Sequence, residues 1–349
     1  MRSSYRDEDV IFLLKDITGL VQPQPAKERE QLIQSGKHYC EMLPVEYKPS
    51  AQYMKVYREA LEHYSRTVAL AVGKLADKIM ALKDGRVVLV SLARAGTPIG
   101  ILVKHFIKMK YGIDVLHYSI SIIRGKGIDD NAMKYLLRLH SPEQLLFLDG
   151  WIGKGAILNE LRRALVHYPG VTDDLAVVAD PANVTKLCGT HEDILIPSSC
   201  LNCTVSGLVS RTFLRDDIIG KDDFHGAVFY KELEKDDLSY DFIESIEGGF
   251  DINGTIPDSR TEGLGIDEVK EIAEYFEVTD INLIKPGIGE TTRVLLRRVP
   301  WKILIDPRYA QDSSVSHILR LAEEKRVPVE LYSMAHYKAC GIIKRLADA

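Results

Sequence analysis

The chain has 349 residues, of which 46% are hydrophobic and 27% charged, and its formal net charge is -5. This composition is typical of a folded globular protein and excludes a collagen-like, fibrous or disordered chain. Because one domain usually holds about 100 to 200 residues, we expect two or three domains. No run of about 18 apolar residues is present and the start is rich in charge, so we expect neither a membrane span nor a signal peptide. Five scattered cysteines form no disulfide framework, which predicts a reducing compartment, the cytoplasm.

Helical and strand patterns alternate through the first part of the chain. Apolar residues recur at helical spacing over residues 51–83, where we predict one or two amphipathic helices. Short apolar segments that predict buried strands follow at residues 86–92, 115–123, 145–148, 175–178 and 194–196. Helices are predicted between them at residues 99–111, 132–139 and 156–167. This alternation indicates an α/β fold with an open parallel sheet, whose ligand binds at the carboxyl ends of the strands.

An acidic stretch divides the chain, since residues 214–280 hold 20 acidic and 6 basic residues. We therefore place an irregular N-terminal arm at residues 1–50, the main domain at 51–250, a linker at 251–264 and a second, smaller α/β domain at 265–349. The elements predicted in the smaller domain are a helix at 267–276, a strand at 281–284, a helix at 290–298, a strand at 302–305, a helix at 314–325, a strand at 329–332 and a final helix from Ala335.

Two predicted strands end in turns that carry glycine and open into helices. The strand at 145–148 leads into Asp149 and then into Gly153, Lys154, Gly155 and Ala156, whereas the strand at 86–92 leads into Arg94, Ala95 and Gly96. Free N–H groups at a helix start favour a phosphate group, and glycines let it approach the backbone. A basic loop that contains Arg124 and Lys126 lies between the two turns in sequence and is predicted to close over the site. A plain strand-to-helix turn with an acidic cap is the alternative.

These motifs resemble those of the type I phosphoribosyltransferases over roughly residues 50–213. The resemblance implies that Asp149 binds the ribose hydroxyls of phosphoribosyl pyrophosphate (PRPP) and that residues 153–156 bind its 5-phosphate. It further implies that the turn at residues 94–96 holds pyrophosphate with Mg²⁺ as cofactor, that no side chain is an assured direct metal ligand, and that Asp149, Arg124 and Lys126 act in catalysis. The expected reaction is transfer of ribose phosphate to a base-like acceptor.

The chain departs from that family where Gly150 replaces a second acid, so a non-catalytic regulator that binds PRPP or RNA stays open. The segment Asp-Gly-Trp-Ile-Gly-Lys-Gly, together with the terminal domain, resembles a narrower group. These are the phosphoribosyltransferase-like proteins of bacterial tellurite-resistance and stress-response operons, also labelled StiP-type cysteine proteases. Membership implies a part in making a nucleoside-like metabolite.

The cysteines allow two further hypotheses. Cys188, His191, Cys200 and Cys203 have a spacing that a structural zinc ion uses, although small buried cysteines are the simpler interpretation. The protease label implies a nucleophilic Cys200, for which the candidate bases are His191, His225 and His117. The polar residues Ser198, Ser199 and Asn202 surround that cysteine and are predicted to contact the acceptor, with a capped helix start as the alternative.

The terminal domain resembles the ribosomal and Pelota-type RNA-binding α-β-α sandwich. Gly287, Glu290 and Arg293 match the start of its RNA-binding helix, but Gly289 replaces the asparagine that contacts bases. The resemblance therefore implies contacts to RNA phosphates from residues such as Arg293 and Arg297. A packing or dimerisation module is the alternative, so RNA and a second copy of the chain are both candidate partners beside the small-molecule substrates.

Overall fold

The computed structural model describes residues 1–257 and 260–344. In chain order, the strands of the main domain are β1 (Ile11–Phe12), β2 (Lys15–Asp16), β3 (Val88–Leu92), β4 (His117–Ile120), β5 (Ile122–Ile123), β6 (Gly127–Ile128), β7 (Leu145–Trp151), β8 (Leu175–Ala179), β9 (Cys188–Thr190) and β10 (Gly226–Ala227). Six of them form one parallel sheet in the order β1-β4-β3-β7-β8-β9. The central strands are buried along their whole length, which explains their nearly continuous apolar sequences.

Helices cover both faces of this sheet. They are α2 (Ala51–Lys83), α3 (Gly96–Tyr111), α4 (Asp130–Leu139), α5 (Ala156–Leu165) and α6 (Ser239–Glu247), whereas α1 (Ala26–Gln34) belongs to the N-terminal arm. The apolar residues of α2 and α3 form one buried cluster with the sheet, and those of α4 and α5 form another on the opposite face. The predicted α/β class with an open parallel sheet is therefore confirmed.

One strand predicted for this domain is absent from the structure, and one strand of its sheet lies in the arm that was predicted to be irregular. Residues 194–196 are buried but make no strand, because they pack in the large core with α2 and with Ile288 of the second domain instead of pairing with the sheet. The edge strands are β9 and, from the N-terminal arm, β1, which pairs with β4. Apolar sequence thus reports burial, whereas strand pairing depends on which neighbour is within reach.

The second domain is a four-stranded sheet between helices. Its elements are α7 (Gly265–Tyr275), β11 (Ile284–Pro286), α8 (Ile288–Arg297), β12 (Pro300–Ile305), α9 (Ser313–Glu324), β13 (Val329–Leu331) and β14 (Ala339–Ile343). The strand order is β11-β14-β12-β13. The apolar residues of α7 cluster with one face of the sheet, and those of α8 and α9 with the other. The predicted α-β-α sandwich is confirmed.

The final helix predicted from Ala335 is wrong, because residues 339–343 form β14 in the middle of this sheet. Ala339 packs toward α8 and α9, whereas Cys340 and Ile342 pack toward α7. Both faces of the strand are therefore buried, which hides the period of two that marks a half-buried strand. The prediction for residues 345–349 lies outside the described residues, as do positions 258 and 259 of the predicted linker.

The two domains share one hydrophobic core. Val315 and Ile318 of α9 belong to the same buried cluster as Val56 and Val68 of α2. Polar contacts reinforce this seam: Tyr53 Oη donates to the carbonyl of Leu296 at 2.5 Å. The second domain is therefore packed firmly against the carboxyl edge of the main sheet, where the sequence predicts the ligand site.

Candidate functional site

A cavity of about 320 Å³ lies at the carboxyl ends of β3 and β7, with α8 of the second domain as a further wall. Most of its polar lining was predicted from the sequence. The predicted site residues that line it are Arg94, Ala95, Asp149, Ser198, Ser199, Asn202, Arg293 and Arg297. Residues to which sequence analysis assigned three separate roles thus meet in one pocket. Arg211 also lines it, so that four arginine side chains surround the cavity, and we call it the arginine pocket.

Arg94 is engaged within the protein. Its guanidinium lies 2.8 Å from the Glu46 carboxylate and donates to the carbonyl of Val209 at 2.8 Å. Although burial opposes ionisation, Arg94 holds the pKa of Glu46 below its ordinary value. Gly96 also has a packing role, since a Cβ there would lie 2.5 Å from the carbonyl oxygen of Leu148. The turn predicted to bind pyrophosphate therefore holds neighbouring segments of the protein together, and it also forms part of the pocket wall.

The predicted phosphate turn lies outside the pocket and beneath the second domain. Lys154 Nζ donates to the carbonyls of Ile281 at 2.6 Å and Ile284 at 3.0 Å. Tyr337 Oη donates to the carbonyl of Gly153 at 2.7 Å. Gly155 has a φ of 87°, which accounts for a glycine at the start of α5 without a ligand. Gly153, Lys154, Gly155 and Ala156 are therefore not among the residues that line the pocket.

Asp149 is the one carboxylate among the described residues that line the arginine pocket. Its Oδ1 accepts from the N–H of Gly150 at 2.7 Å, and desolvation raises its pKa to about 6. Magnesium prefers several oxygen ligands and is repelled by guanidinium groups. No group of three or more His, Cys, Asp or Glu suited to a metal occurs in the described part of the chain. The residues around Asp149 do not fit Mg²⁺.

Arg124 and Lys126 lie on the tight hairpin formed by β5 and β6, and both are exposed. The backbone N–H of Arg124 donates to Tyr39 Oη at 2.9 Å, and its guanidinium contacts Asn282 Oδ1 at 3.4 Å. The hairpin therefore lies beside the rim of the pocket, where Tyr39 is a wall residue. The predicted closing movement of this segment stays a prediction.

All five cysteines are buried, and none of them forms a disulfide bond. The four zinc candidates do not gather, because no metal-binding group of three or more ligands occurs among the residues that the structure describes. Cys200 lies behind the pocket wall, and burial raises its pKa to about 12. No hydrogen bond or ion pair links its thiol to a histidine in the described residues.

Two other cysteines contact histidines. Cys188 Sγ lies 3.4 Å from His191 Nε2, and His191 Nδ1 lies 3.9 Å from the Asp180 carboxylate. These residues resemble a nucleophile, base and orienting acid, but all three are buried and none lines the arginine pocket. The second domain covers this region, since Gly265 donates its N–H to the carbonyl of Ala182 at 2.9 Å.

The second pair, Cys40 and His38, adjoins the pocket. Cys40 Sγ lies 2.9 Å from His38 Nδ1, and Tyr39, the residue between them, lines the pocket. Burial, followed by the negative charge of Glu41, raises the pKa of Cys40 to about 11, whereas nearby Lys126 lowers it. Sequence analysis missed this pair because it placed the nucleophile in the polar loop; the available signal was the His-x-Cys spacing in the arm.

The predicted RNA-binding residues lie at the seam between the domains. The Asp193 carboxylate accepts from the N–H of Ile288 at 2.9 Å, directly after Gly287. Glu290 pairs with Arg293 at 2.7 Å. At the other end of α8, Arg297 donates to the carbonyls of Cys200 and Leu201, so both ends of this helix contact the main domain.

Comparison with protein families gives two matches. Residues 3–247 match the family described as tellurite-like stress resistance cysteine protease StiP, and residues 263–345 match the PELOTA RNA binding domain. A curated relative from Acinetobacter baylyi, named cysteine protease StiP, is 34% identical over 365 residues, which cover 98% of this chain and 94% of that protein.

Two solved structures of a hypoxanthine-guanine phosphoribosyltransferase from Bacillus anthracis are also similar, each with a TM-score of 0.25. The first is 17% identical and covers 38% of this chain and 71% of its own, and the second is 15% identical and covers 41% and 75%. Similarity at this level carries no argument about function.

The comparisons overturn the activity predicted from the sequence. Phosphoribosyl transfer, with PRPP as substrate and a nucleoside-like product, is wrong as the principal function, because both the family match and the curated relative are named cysteine proteases. The alternative of a cysteine peptidase is better supported. Since the family model matches residues 3–247 and the relative covers 98% of the chain, this protein belongs to the StiP family.

Proposed function

We propose that this protein is a cysteine peptidase in which Cys40 is the nucleophile and His38 is the general base. The 34% identity to the relative named cysteine protease StiP supports the class of activity. The observation that selects the residues is the 2.9 Å contact between Cys40 Sγ and His38 Nδ1 beside the arginine pocket. A thiol and an imidazole within hydrogen-bond reach are the usual core of such a site.

The other cysteines are weaker candidates. Cys200, which the sequence suggested, has no histidine contact among the described residues, and its pKa is raised to about 12. Cys188 has a histidine and an acid nearby but is not among the residues around the pocket. Cys203 and Cys340 also have pKa values raised to about 12 by burial. Burial raises the pKa of Cys40 as well, to about 11, so its histidine contact beside the pocket is what distinguishes it.

The tautomer of His38 suits a base. The backbone N–H of Cys40 donates to His38 Nδ1 at 3.4 Å, which requires an unprotonated Nδ1, and the same nitrogen lies 2.9 Å from the thiol sulfur. In the proposed reaction, the thiol proton passes to Nδ1 and the Sγ thiolate adds to the carbonyl carbon of a peptide bond. The C–N bond then breaks as His38 returns the proton to the leaving amine. Water, deprotonated by His38, hydrolyses the thioester and regenerates the thiol.

Access to the thiol depends on Tyr39. Cys40 is 1% exposed, and the Tyr39 ring, which lines the pocket, contacts the imidazole of His38, with the two ring centroids 4.5 Å apart. A substrate in the arginine pocket must displace this ring to reach Sγ. We therefore propose Tyr39 as the side chain that gates the nucleophile.

The test measures hydrolysis of a fluorescein-labelled casein by the full chain. Cys40→Ala should abolish activity, and His38→Gln should lower it at least about a hundredfold, the usual contribution of a general base. Cys188→Ala and Cys200→Ala are matched controls, because each removes another buried thiol, and both should retain activity. If Cys40→Ala stays active while either control is inactive, our choice of nucleophile is incorrect.

A chemical readout tests the same pair without turnover. Iodoacetamide should alkylate Cys40 faster than the other four thiols, and His38→Gln should slow that reaction, since the thiolate is the reactive form. Peptide mapping by mass spectrometry identifies the modified residue. Equal labelling of Cys40 and Cys200 would contradict the proposal.

Location and partners are proposed on separate grounds. Five cysteines without a disulfide bond are typical of a reducing compartment, which supports the cytoplasm. No helix in the described part of the chain is long and apolar enough to cross a membrane. The PELOTA match supports RNA as a partner, but any RNA that uses Gly287, Glu290, Arg293 and Arg297 must reach the seam between the domains. A homodimer stays a prediction.

A further inference from the structure

The arginine pocket collects positive charge from both domains. Arg94 and Arg211 come from the main domain, and Arg293 and Arg297 come from α8. The proposed peptidase chemistry at Cys40 uses none of these side chains. A set of four guanidinium groups around about 320 Å³ therefore needs a separate explanation.

Two of the four guanidinium groups form ion pairs in the described part of the chain and two do not. Arg94 is paired with Glu46 at 2.8 Å, and Arg293 with Glu290 at 2.7 Å. Glu46 also attracts Arg211 and Arg297 electrostatically, without forming an ion pair with either. Among the described residues, Arg297 donates to neutral carbonyls, those of Cys200 at 3.2 Å and Leu201 at 2.6 Å.

The side chain of Arg211 has no hydrogen-bond or ion-pair partner in the described part of the chain, and it is exposed to the solvent of the pocket. Enclosure by the pocket walls, followed by the charges of Arg94 and Arg293, lowers its pKa to about 9.

The same repulsion acts on Arg297, whose pKa is lowered to about 10 by burial and then by Arg293 and Arg94. Like charges held this close destabilise the empty pocket, and an anion between them relieves the repulsion. A carboxylate fits such a site well, because a guanidinium group can donate two parallel N–H bonds to its two oxygens.

The rest of the lining suits a peptide. Leu92, Pro98 and Leu201 supply apolar contacts, whereas Ser198 and Ser199 offer hydroxyl groups to a backbone. The cavity has room for one or two side chains, and Tyr39, which lines it, is the residue next to Cys40 in the chain. A carboxylate seated here would therefore hold the neighbouring peptide bond beside the proposed nucleophile.

We infer that the arginine pocket selects peptides with an acidic side chain and that Arg211 and Arg297 bind its carboxylate. This inference rests on the proposed peptidase function for its substrate class. The pocket is completed by α8, so the second domain supplies part of the specificity.

The experiment measures binding by fluorescence anisotropy with the full-length Cys40→Ala variant, which cannot turn over substrate. The probes are two fluorescein-labelled nonapeptides of Ala and Gly with amidated carboxyl ends, one with a central Glu and the other with a central Gln. We expect the Glu peptide to bind about tenfold more tightly, a difference of about 1.4 kcal/mol. Equal affinities would overturn the inference.

Arginine variants in the Cys40→Ala background locate the effect. Arg211→Gln and Arg297→Gln should each reduce the preference for Glu to about twofold or less. Arg163→Gln is the matched control, since its side chain is 76% exposed on α5, and it should keep the full preference. A preference that survives both pocket variants would place the carboxylate elsewhere and overturn the assignment.

Two further arms separate this inference from its alternatives. If the Glu peptide binds selectively to the variant but wild-type protein cleaves neither peptide, the peptidase proposal fails and the pocket assignment stands. If wild-type protein cleaves the Glu and Gln peptides equally well, the peptidase proposal stands and the pocket assignment fails. Competition with pyrophosphate and with a short RNA tests phosphate chemistry. If either displaces the Glu peptide at concentrations where free glutamate does not, the pocket takes phosphate and the inference is overturned.

Discussion

The turns after β3 and β7 begin from similar sequence signals and have different fates in the structure. Each follows a buried strand, contains glycine and opens a helix. The turn after β3 keeps Arg94 and Ala95 on the arginine pocket, whereas the turn after β7 is closed by the second domain through Lys154 and Tyr337. The same local geometry is thus a pocket wall in one case and a domain joint in the other.

This difference shows that a glycine-rich strand-to-helix turn is not by itself a ligand site. At the closed turn, carbonyl groups of the second domain satisfy the positive charge that a phosphate would otherwise neutralise. At the open turn, the Glu46 carboxylate forms an ion pair with Arg94, whereas Arg211 and Arg297 form no ion pair in the described part of the chain. The ligand-binding groups of the pocket are therefore found on the residues that surround the turns.

Replacement of Arg94 should have the greatest effect on stability, and it tests whether Arg94 is a structural residue of the open turn. Arg94→Met leaves the Glu46 side chain, which is 6% exposed, without its partner, and this should lower the free energy of unfolding by about 3 to 5 kcal/mol. The double variant Arg94→Met, Glu46→Gln should recover much of that loss. Urea denaturation measures both, and an unchanged stability of Arg94→Met would indicate a free ligand group.

The next prediction concerns the joint itself. Asp193→Ala removes the acceptor for the N–H groups of Ile288 and Lys338, each at 2.9 Å, and leaves two buried donors unsatisfied. We expect a loss of about 2 to 4 kcal/mol in urea denaturation. Asp173→Ala, whose side chain is 60% exposed, is the control and should change stability by less than about 0.5 kcal/mol. If both variants lose a similar amount of stability, Asp193 does not stabilise the joint between the domains more than an exposed aspartate would.

A smaller effect is expected at the closed turn. Lys154→Met removes the donor to two carbonyl groups of the second domain and should cost about 1 to 2 kcal/mol of stability. Binding of the Glu peptide should be unchanged, because Lys154 does not line the arginine pocket. Lys270→Met, on the exposed surface of α7, controls for the loss of a positive charge. Weaker peptide binding in Lys154→Met alone would make this turn a ligand site.

The smallest effect is expected in the pH dependence of peptide binding to the arginine pocket, which the open turn lines. Desolvation raises the pKa of Asp149 from 3.8 to about 6, so its carboxyl is neutral at pH 5 and negatively charged at pH 7. The charge repels a bound carboxylate, so the Glu peptide should bind about threefold more weakly at pH 7 than at pH 5, about 0.7 kcal/mol. Asp149→Asn should remove this dependence, and the anisotropy titration at both pH values measures it. A dependence that persists in Asp149→Asn would assign the titration to another group.

Much of the secondary structure could be predicted from local sequence. The helical spacing over residues 51–83 gives α2, and the apolar run before Asp149 gives β7. The residues at the strand ends were also found, because a parallel sheet gathers the carboxyl ends of its strands at one edge. The strand β14 was missed, since burial on both faces removes the periodic signal that distinguishes a strand from a helix.

Local sequence patterns were enough to establish the class of fold, the two α/β domains and the edge of the sheet that carries Arg94 and Asp149. Contacts between distant segments established that Lys154 closes a joint, that α8 completes a pocket, and that Cys40 with His38 adjoins it. The physical reason is the range of the interactions. Periodicity reports which side of an element is buried, whereas the contact from Asp193 to Ile288 spans 95 residues and depends on how two finished surfaces fit.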